Sequence, residues 1–333
     1  MQITFGEREP VRALCLFSGG LDSMLAVCVL REQGIVVHGV FFESPFFDGR
    51  HARAGASALD LRLHALNFSK DIVALLNGPR FGFGSCMNPC LDCHALMLRR
   101  AGELMDDGGY AFLATGEVLN ERPMSQTRQG LRTVARASGY AERVVRPLSA
   151  ALLPETEPER LGLVDRGRLL DVQGRGRKRQ LQLAARYGLK SFPSPAGGCL
   201  LTEPGFCRRL SDLKEHEGLD GLHAIELLRI GRHFRLADRV KLIVGRDEAE
   251  NAAIEGRSEL YDLVLKPVST PGPTALLPMT AGDEQVRLAA AICARYSDGA
   301  NNAAIAIRVR SARGARQIEA LPASDESLSA IRI

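Results

Sequence analysis

The chain has 333 residues, of which 45% are apolar and 25% charged, and its 43 Lys plus Arg barely exceed its 39 Asp plus Glu. This is the composition of an ordinary globular protein, too long for one average domain and comfortable for two or three. It holds no stretch of about 18 apolar residues to span a membrane and no apolar leader before the first strand, so the sequence argues against export and membrane insertion and for a cytoplasmic location.

Residues 12–17 read as a buried strand and residues 24–33 as a helix whose Leu25, Val27, Cys28 and Leu30 face a sheet. Between them lies Ser18-Gly19-Gly20-Leu21-Asp22-Ser23. Two adjacent glycines permit a sharp turn and close approach of a ligand to the backbone, and Ser18, Asp22 and Ser23 suit turns and helix caps. Unpaired amides and the positive end of the helix dipole then converge on one point, which favours a phosphate. Asp22 beside bare phosphate calls for Mg2+ between them.

Residues 36–42 read as a second strand, which makes the opening a parallel βαβ unit with its ligand at the strands' carboxyl ends. Phe41 is placed there either beside an adenine or in the core. A helix near 52–63, a short strand near 64–68 and a helix from Ser69 continue the alternation. Residues 111–115 form another strand, and Thr115-Gly116-Glu117 at its end makes a second wall for a nucleotide. Residues 144–148 read as the last strand of this sheet.

The eight cysteines argue for thiols, catalysis or metal rather than a disulfide framework. Cys15, Cys28 and Cys293 sit in apolar periodic runs and read as core. Cys86, Cys90 and Cys93, followed by His94, fall in the loop and first turn of a helix read at roughly 95–105, where the dipole lowers a thiol's pKa. Four readings stay open for them: a c-type haem attachment motif, which normally follows export; a structural zinc site, which wants more ligands; C-x-x-C redox chemistry; and an iron–sulfur cluster or a sulfur-handling nucleophile. Further on, two prolines and two glycines in residues 192–198 make a bent loop that delivers Cys199.

Several motifs resemble known families. Ser18–Ser23 matches the S-G-G-x-D-S signature of the PP-loop ATP pyrophosphatases, which hold the β,γ-pyrophosphate of ATP and hand AMP to a carbonyl-type oxygen. That resemblance implies an α/β fold, a parallel-sheet, Rossmann-like adenine-nucleotide domain, with ATP held by Ser18, Gly19, Gly20, Asp22 and Ser23. Thr115-Gly116-Glu117 with the later Ser125-Gln126-Thr127 resembles the bacterial 4-thiouridine synthases, and Asn88-Pro89 with Cys93 resembles the tRNA 2-thiouridine synthases. Both families replace a uridine oxygen with sulfur. The resemblance implies catalytic roles for Cys93, Cys199 and Asp22, and makes Cys90, Cys93 and Cys199 a set of three thiolates able to hold a 4Fe–4S cluster. Cys86 and Cys207 are the substitutes.

Cations cluster in two places. Arg175, Arg177, Lys178 and Arg179 crowd a helix start, where they oppose the dipole, so contact with a phosphate backbone is the preferred reading. From about residue 208 the pattern changes to strand-like runs at 225–236 and 240–246 studded with Arg229, Arg232, Arg235, Lys241 and Arg246. Arg308, Arg310, Arg313 and Arg316 extend this basic surface. With a Val-Gly-Arg turn, a helix at 247–254, a strand at 262–266 and Pro271-Gly272, this part is similar to the NFACT-R RNA-binding module. Residues 325–333 read as a loose tail.

The expectation is therefore a nucleotide domain at 1–150, a linker and helical extension at 151–207, and a smaller α+β RNA-binding domain at 208–333. Its implied activity is ATP-dependent thiolation of an RNA uridine, tRNA foremost, fed by a cysteine desulfurase or by sulfide, with a homodimer left open. The alternatives are a PP-loop ligase or amidotransferase acting on a small molecule, and a non-catalytic ATP-sensing RNA-binding factor.

Overall fold

In the computed structural model the chain is described at residues 9–194, 199–260, 262–298 and 303–333, and it divides after Leu200 into two units. The first runs β1 (Arg12–Leu16), α1 (Leu21–Arg31), β2 (Val36–Glu43), α2 (Arg50–Ala58), β3 (Leu63–Asn67), α3 (Ser69–Asn77), α4 (Cys90–Asp107), β4 (Phe112–Thr115), α5 (Arg128–Ser138), β5 (Val144–Val145), α6 (Glu157–Arg160) and α7 (Lys178–Arg186). All five strands are parallel, in the order β3-β2-β1-β4-β5. A parallel sheet needs both faces covered, and Ala13, Leu14 and Cys15 of β1 are accordingly inaccessible to solvent. Burial pushes the Cys15 thiol up to about 12, as a core cysteine requires.

Chain direction across the sheet reverses between β1 and β4, the neighbours in which Leu16 faces Thr115. Adjacent loops part at such a point and leave a crevice outside the carboxyl ends of the strands. Residues 151–200, read from sequence as mostly linker, are part of this unit, because Val164, Leu169, Val172 and Ala184 fill its core beside α1.

The second unit runs α8 (Pro204–His216), α9 (Leu222–Leu227), β6 (Arg232–Ala237), β7 (Val240–Val244), α10 (Glu248–Glu255), β8 (Asp262–Pro267), β9 (Ala275–Pro278), α11 (Asp283–Arg295), β10 (Ile305–Ser311), β11 (Gly314–Ala320) and α12 (Asp325–Ile331). Its antiparallel sheet has the order β11-β10-β8-β9-β7-β6. From α11, Val286, Ala289, Ala290 and Cys293 pack with Phe234, Leu242, Leu265 and Ile307, while Ile254 of α10 packs with Ile243, Val264 and Leu276 in a second, smaller core.

Two sequence expectations fail here. The first half of the expected strand at 225–236 is helical: Ile225, Leu227 and Leu228 are buried together, and Gly231 at φ +79° turns the chain into β6. The expected loose tail is α12, capped by the Ser324 hydroxyl accepting from the Ser327 amide and anchored by buried Leu328.

Burial makes the second unit sensitive to acid. His233 on β6 is 1% exposed, its Nε2–H donates to the Ile230 carbonyl at 2.9 Å, and its Nδ1 has no partner. Burial, with the Lys241 charge adding to it, pushes the imidazole down from 6.5 to about 3. A folded value below the unfolded one leaves stability whole above pH 6.5 and erodes it as pH falls from there toward 3. At pH 5 the expected loss is about 2 kcal/mol from this one side chain. The slope of unfolding free energy against pH between 7 and 5 should flatten in His233→Gln, and an unchanged slope would remove His233 as its source.

Candidate active site at the switch point of the parallel sheet

The loop from Ser18 to Ser23 leaves β1 and enters α1 in a shape few residues could adopt. Gly19 has φ +75°, and a Cβ there would lie 2.0 Å from the His51 carbonyl oxygen, so the loop is pressed onto the start of α2. The Gly20 amide donates to Ser18 Oγ at 3.3 Å, and Ser23 Oγ donates to the Gly20 carbonyl at 2.8 Å. The first helical hydrogen bond runs from the Met24 amide to Gly20, which leaves the amides of Leu21, Asp22 and Ser23 without helical acceptors. One carboxylate oxygen of Asp22, Oδ1, is buried with no hydrogen-bond partner. Burial pushes this carboxyl up against the pull of the Arg177 charge. A buried, partnerless acceptor beside a ring of donors suits a cation bridging to an anion.

The second wall touches the first. At the end of β4, a Cβ on Gly116 would lie 2.5 Å from the Ser23 amide nitrogen and 2.6 Å from the Asp22 carbonyl carbon, so only glycine lets these backbones meet. Glu117 follows. Its carboxylate accepts from Thr115 Oγ1 at 3.1 Å, from Arg146 Nε at 2.9 Å, and pairs with His94 Nδ1 at 3.4 Å. Burial opposes its ionisation, but the Arg146 and His94 charges outweigh that and hold it at about 2.

Through Glu117 and His94 the Ser18–Ser23 loop is linked to the cysteines. The helix begins at Cys90 itself, five residues before the sequence places it, so Cys90 and His94 stand one turn apart on one face of α4. His94 is hydrogen-bonded to Cys90 as well as to Glu117, and these two anions overcome the effect of burial and raise the imidazole to about 9. Cys90 responds in the opposite sense. Burial alone would raise it, but the His94 hydrogen bond and charge, with nearby Ser125 and Arg122, hold the thiol below its ordinary value. This is a hydrogen-bonded cysteine–histidine pair oriented by a third group, Glu117, an arrangement that favours the ionised thiol and suits a nucleophile. His94 is absent from the residues the sequence reading singles out for chemistry; the signal that points to it is its i, i+4 spacing from Cys90 in the C-x-x-C-H run.

Cys93 is buried on the same turn, and its thiol is pushed well up by burial and then by the negative charge of Cys199, Cys90 and Asp92. The three cysteines thus lie within electrostatic reach of one another. Among the described residues, no three His, Cys, Asp or Glu side chains are grouped so as to hold a metal ion. Residues 195–198 of the loop that delivers Cys199 lie outside the described residues. Cys86 is exposed at φ +58°, and Cys207 is buried in the second unit, donating to the Leu201 carbonyl. Phe41 is in the core, under Gly49 and with Arg53 over its ring at 5.5 Å.

The basic run divides by helix face. Arg175, Lys178 and Arg179 are exposed, Arg179 paired with Asp171, whereas Arg177 and Gln180 turn inward. Arg177 acts on Asp22 and Glu121, and its Nε is buried without a partner; Gln180 is inaccessible, with its side-chain amide turned to the Asp22 carboxylate. Helix α7 packs on α1, so i and i+3 face the loop and the residues between face outward.

In the second unit, β10 alternates Ile305, Ile307 and Val309 inward with Arg308 and Arg310 outward. Residues 231–331 match the NFACT protein RNA binding domain. The matched stretch makes up most of the second unit. In this unit Arg229, Arg308, Arg310, Arg313 and Arg316 are exposed, Arg310 lying 3.4 Å from Glu255 and Arg316 3.0 Å from Asp283. Arg246 is exposed and paired with Glu250. Other cations of the second unit are inward: Arg232 lies 4.4 Å from the Tyr296 ring centroid, Arg235 is held by Asp212 and Glu217, and Lys241 is 7% exposed, 3.8 Å from Glu217.

Two relatives extend the comparison. The chain is 31% identical over 156 residues to a protein of Aeropyrum pernix named "Probable tRNA sulfurtransferase", covering 43% of this chain and 36% of that protein. It is 31% identical over 112 residues to one of Methanosarcina acetivorans with the same name, covering 32% and 27%. The chain thus spans roughly a third of the length of the curated relatives it matches. A solved 4-thiouridine synthetase–RNA complex with bound ATP aligns at 19% identity and a TM-score of 0.36, covering 65% of this chain and 52% of that one, a likeness too shallow to inform the site. Among the described residues no helix is long and apolar enough to cross a membrane.

Proposed function

We propose that this protein uses ATP to activate a uridine carbonyl in RNA, tRNA foremost, and replaces its oxygen with sulfur. The observation that carries the reading is the contact of Gly116 with Ser23, because it joins a phosphate-binding loop to a cysteine relay across one crevice. The amides of Leu21 to Ser23 would cradle the β,γ-phosphates, and Asp22 would hold Mg2+, which would supply charge neutralisation for the departing pyrophosphate. The uridine oxygen attacks the α-phosphorus, the bond to pyrophosphate breaks, and the base carries AMP. Sulfide then attacks the same carbon, and AMP leaves with the oxygen. Arg177 lies beside Asp22, where negative charge develops. The relatives named as tRNA sulfurtransferases and the match to the NFACT protein RNA binding domain support RNA as the substrate.

The cysteine set fits a 4Fe–4S cluster in its chemistry: three soft donors within electrostatic reach of one another, with Cys93 pushed up by burial and then by the charges of Cys199, Cys90 and Asp92. Cys90, Cys93 and Cys199 would hold it, and it would offer one iron with an open position for sulfide. Anaerobically purified protein is then expected to be brown, with iron and acid-labile sulfide in similar amounts, and Cys199→Ala to lose both. A colourless protein loaded with zinc would exclude the cluster and leave a persulfide on Cys93 or Cys199, its outer sulfur handed over at the sulfane level by a cysteine desulfurase, to carry the sulfur.

The deciding experiment supplies α-labelled ATP, sulfide and unmodified tRNA transcripts, follows the nucleotide product, and digests the RNA for nucleoside mass spectrometry. AMP with a thiolated uridine is expected. AMP formed without RNA favours a small-molecule ligase, and RNA binding without turnover favours an ATP-sensing factor.

A further inference from the structure

We propose that Phe81 and Phe83 form a stacking platform that holds an unpaired RNA base beside the Cys90–Cys93 turn. The inference rests on the RNA reading above and names how the target base is gripped. Both rings lie in the connection between α3 and α4, and they are 36% and 39% exposed. The loop that carries them is clamped to the cysteine turn.

The clamp is Asp92, 7% exposed and set between the two cysteines. Its carboxylate accepts from the amide of Arg80 at 3.1 Å and from that of Phe81 at 2.9 Å. Further along, the Gly84 amide donates to the Asn88 carbonyl at 2.8 Å, and a Cβ on Gly84 would lie 2.5 Å from Met124 Sδ. Met124 is itself 40% exposed and precedes Ser125, which neighbours Cys90. Two loops and the cysteine turn therefore converge, with rings and a thioether facing outward around them.

Charge selects the occupant. The Arg80 guanidinium lies 5.3 Å from the Phe81 ring centroid, and the Arg122 charge reaches Cys90. Aromatic faces rimmed by arginine suit a ligand that is flat and anionic along its backbone, which describes single-stranded RNA. The chemistry also demands such a grip. A carbonyl inside a stacked duplex cannot enter the crevice, so the base has to be splayed out, and something has to replace its lost stacking.

Leucine removes the π face while keeping apolar bulk, and at exposed positions it leaves the fold alone. Phe81→Leu and Phe83→Leu are expected to raise the KM for unmodified tRNA transcript by about 5- to 150-fold, the range for loss of one base–aromatic stack. The KM for ATP should stay unchanged, and Phe81→Tyr should restore the wild-type value. Irradiating the full-length protein with transcript carrying 5-iodouridine should place an adduct on Phe81 or Phe83. Leucine variants with wild-type KM, or adducts confined to residues 201–333, overturn the platform. Adducts at Phe81 or Phe83 on a protein that thiolates no RNA would keep the platform and reject the proposed reaction.

Discussion

Asp22→Ala is expected to lower RNA-dependent release of AMP and pyrophosphate by about 100- to 1,000-fold, the scale on which one preorganised contact to developing charge is felt. It should do so without unfolding the protein. Burial pushes the Asp22 carboxyl up despite the pull of Arg177, Gln180 and its own amide, so the cost of burying the charge outweighs those contacts and removing the side chain relieves it. The melting temperature without nucleotide should hold or rise, while the stabilisation produced by ATP with Mg2+ should vanish. Thermal scans with and without nucleotide separate the two effects. Undiminished pyrophosphate release would remove Asp22 from the chemistry, and ADP as the wild-type product would remove adenylation itself.

The contrast between lost activity and kept stability illustrates which parts of this chain are legible from its letters. The first βαβ unit is: uninterrupted apolar runs can only be strands buried on both faces, and a Gly-Gly pair between strand and helix leaves few alternatives. Its second wall was legible as Thr115-Gly116-Glu117, but the reason for the glycine was not. That reason is a backbone contact with Ser23 from the other side of the switch point, and it exists only once β1 and β4 are neighbours. Helix α4 was placed five residues late, because Pro89 and three cysteines look like loop, whereas Pro89 precedes the helix and Cys93 donates its amide back to it. With that start, Cys90 and His94 become helical neighbours.

Charge was the least legible feature. A run of Arg and Lys on paper resembles one surface, yet a helix face separates Arg177, beside Asp22, from Arg175, Lys178 and Arg179 in solvent. Arg235 and Lys241 likewise read as phosphate contacts, but opposing carboxylates from α8 and the turn after it hold them inside the second unit. In contrast, Arg308 and Arg310 alternate with buried Ile305, Ile307 and Val309, and period two alone puts them outside.

Glu117→Ala tests the relay from both ends. Arg146 is 8% exposed and would be left buried without its carboxylate, so a loss of about 3–5 kcal/mol is expected. For a unit of this size that is roughly 6–20 °C in Tm. The pH dependence fixes the source. Glu117 is held at about 2 against an ordinary 4.5, so its contribution is whole above 4.5 and disappears as pH falls toward 2. The difference in unfolding free energy between wild type and Glu117→Ala should therefore shrink below pH 4.5. His94→Gln removes the relay's central charge but leaves the Glu117–Arg146 pair, so it should cost far less stability. It should nonetheless shift the pH profile of iodoacetamide labelling at the Cys90 peptide upward, because His94 is what holds that thiol down. A labelling profile that stays where it was in His94→Gln would break the link between the crevice and the cysteine, whatever the Tm.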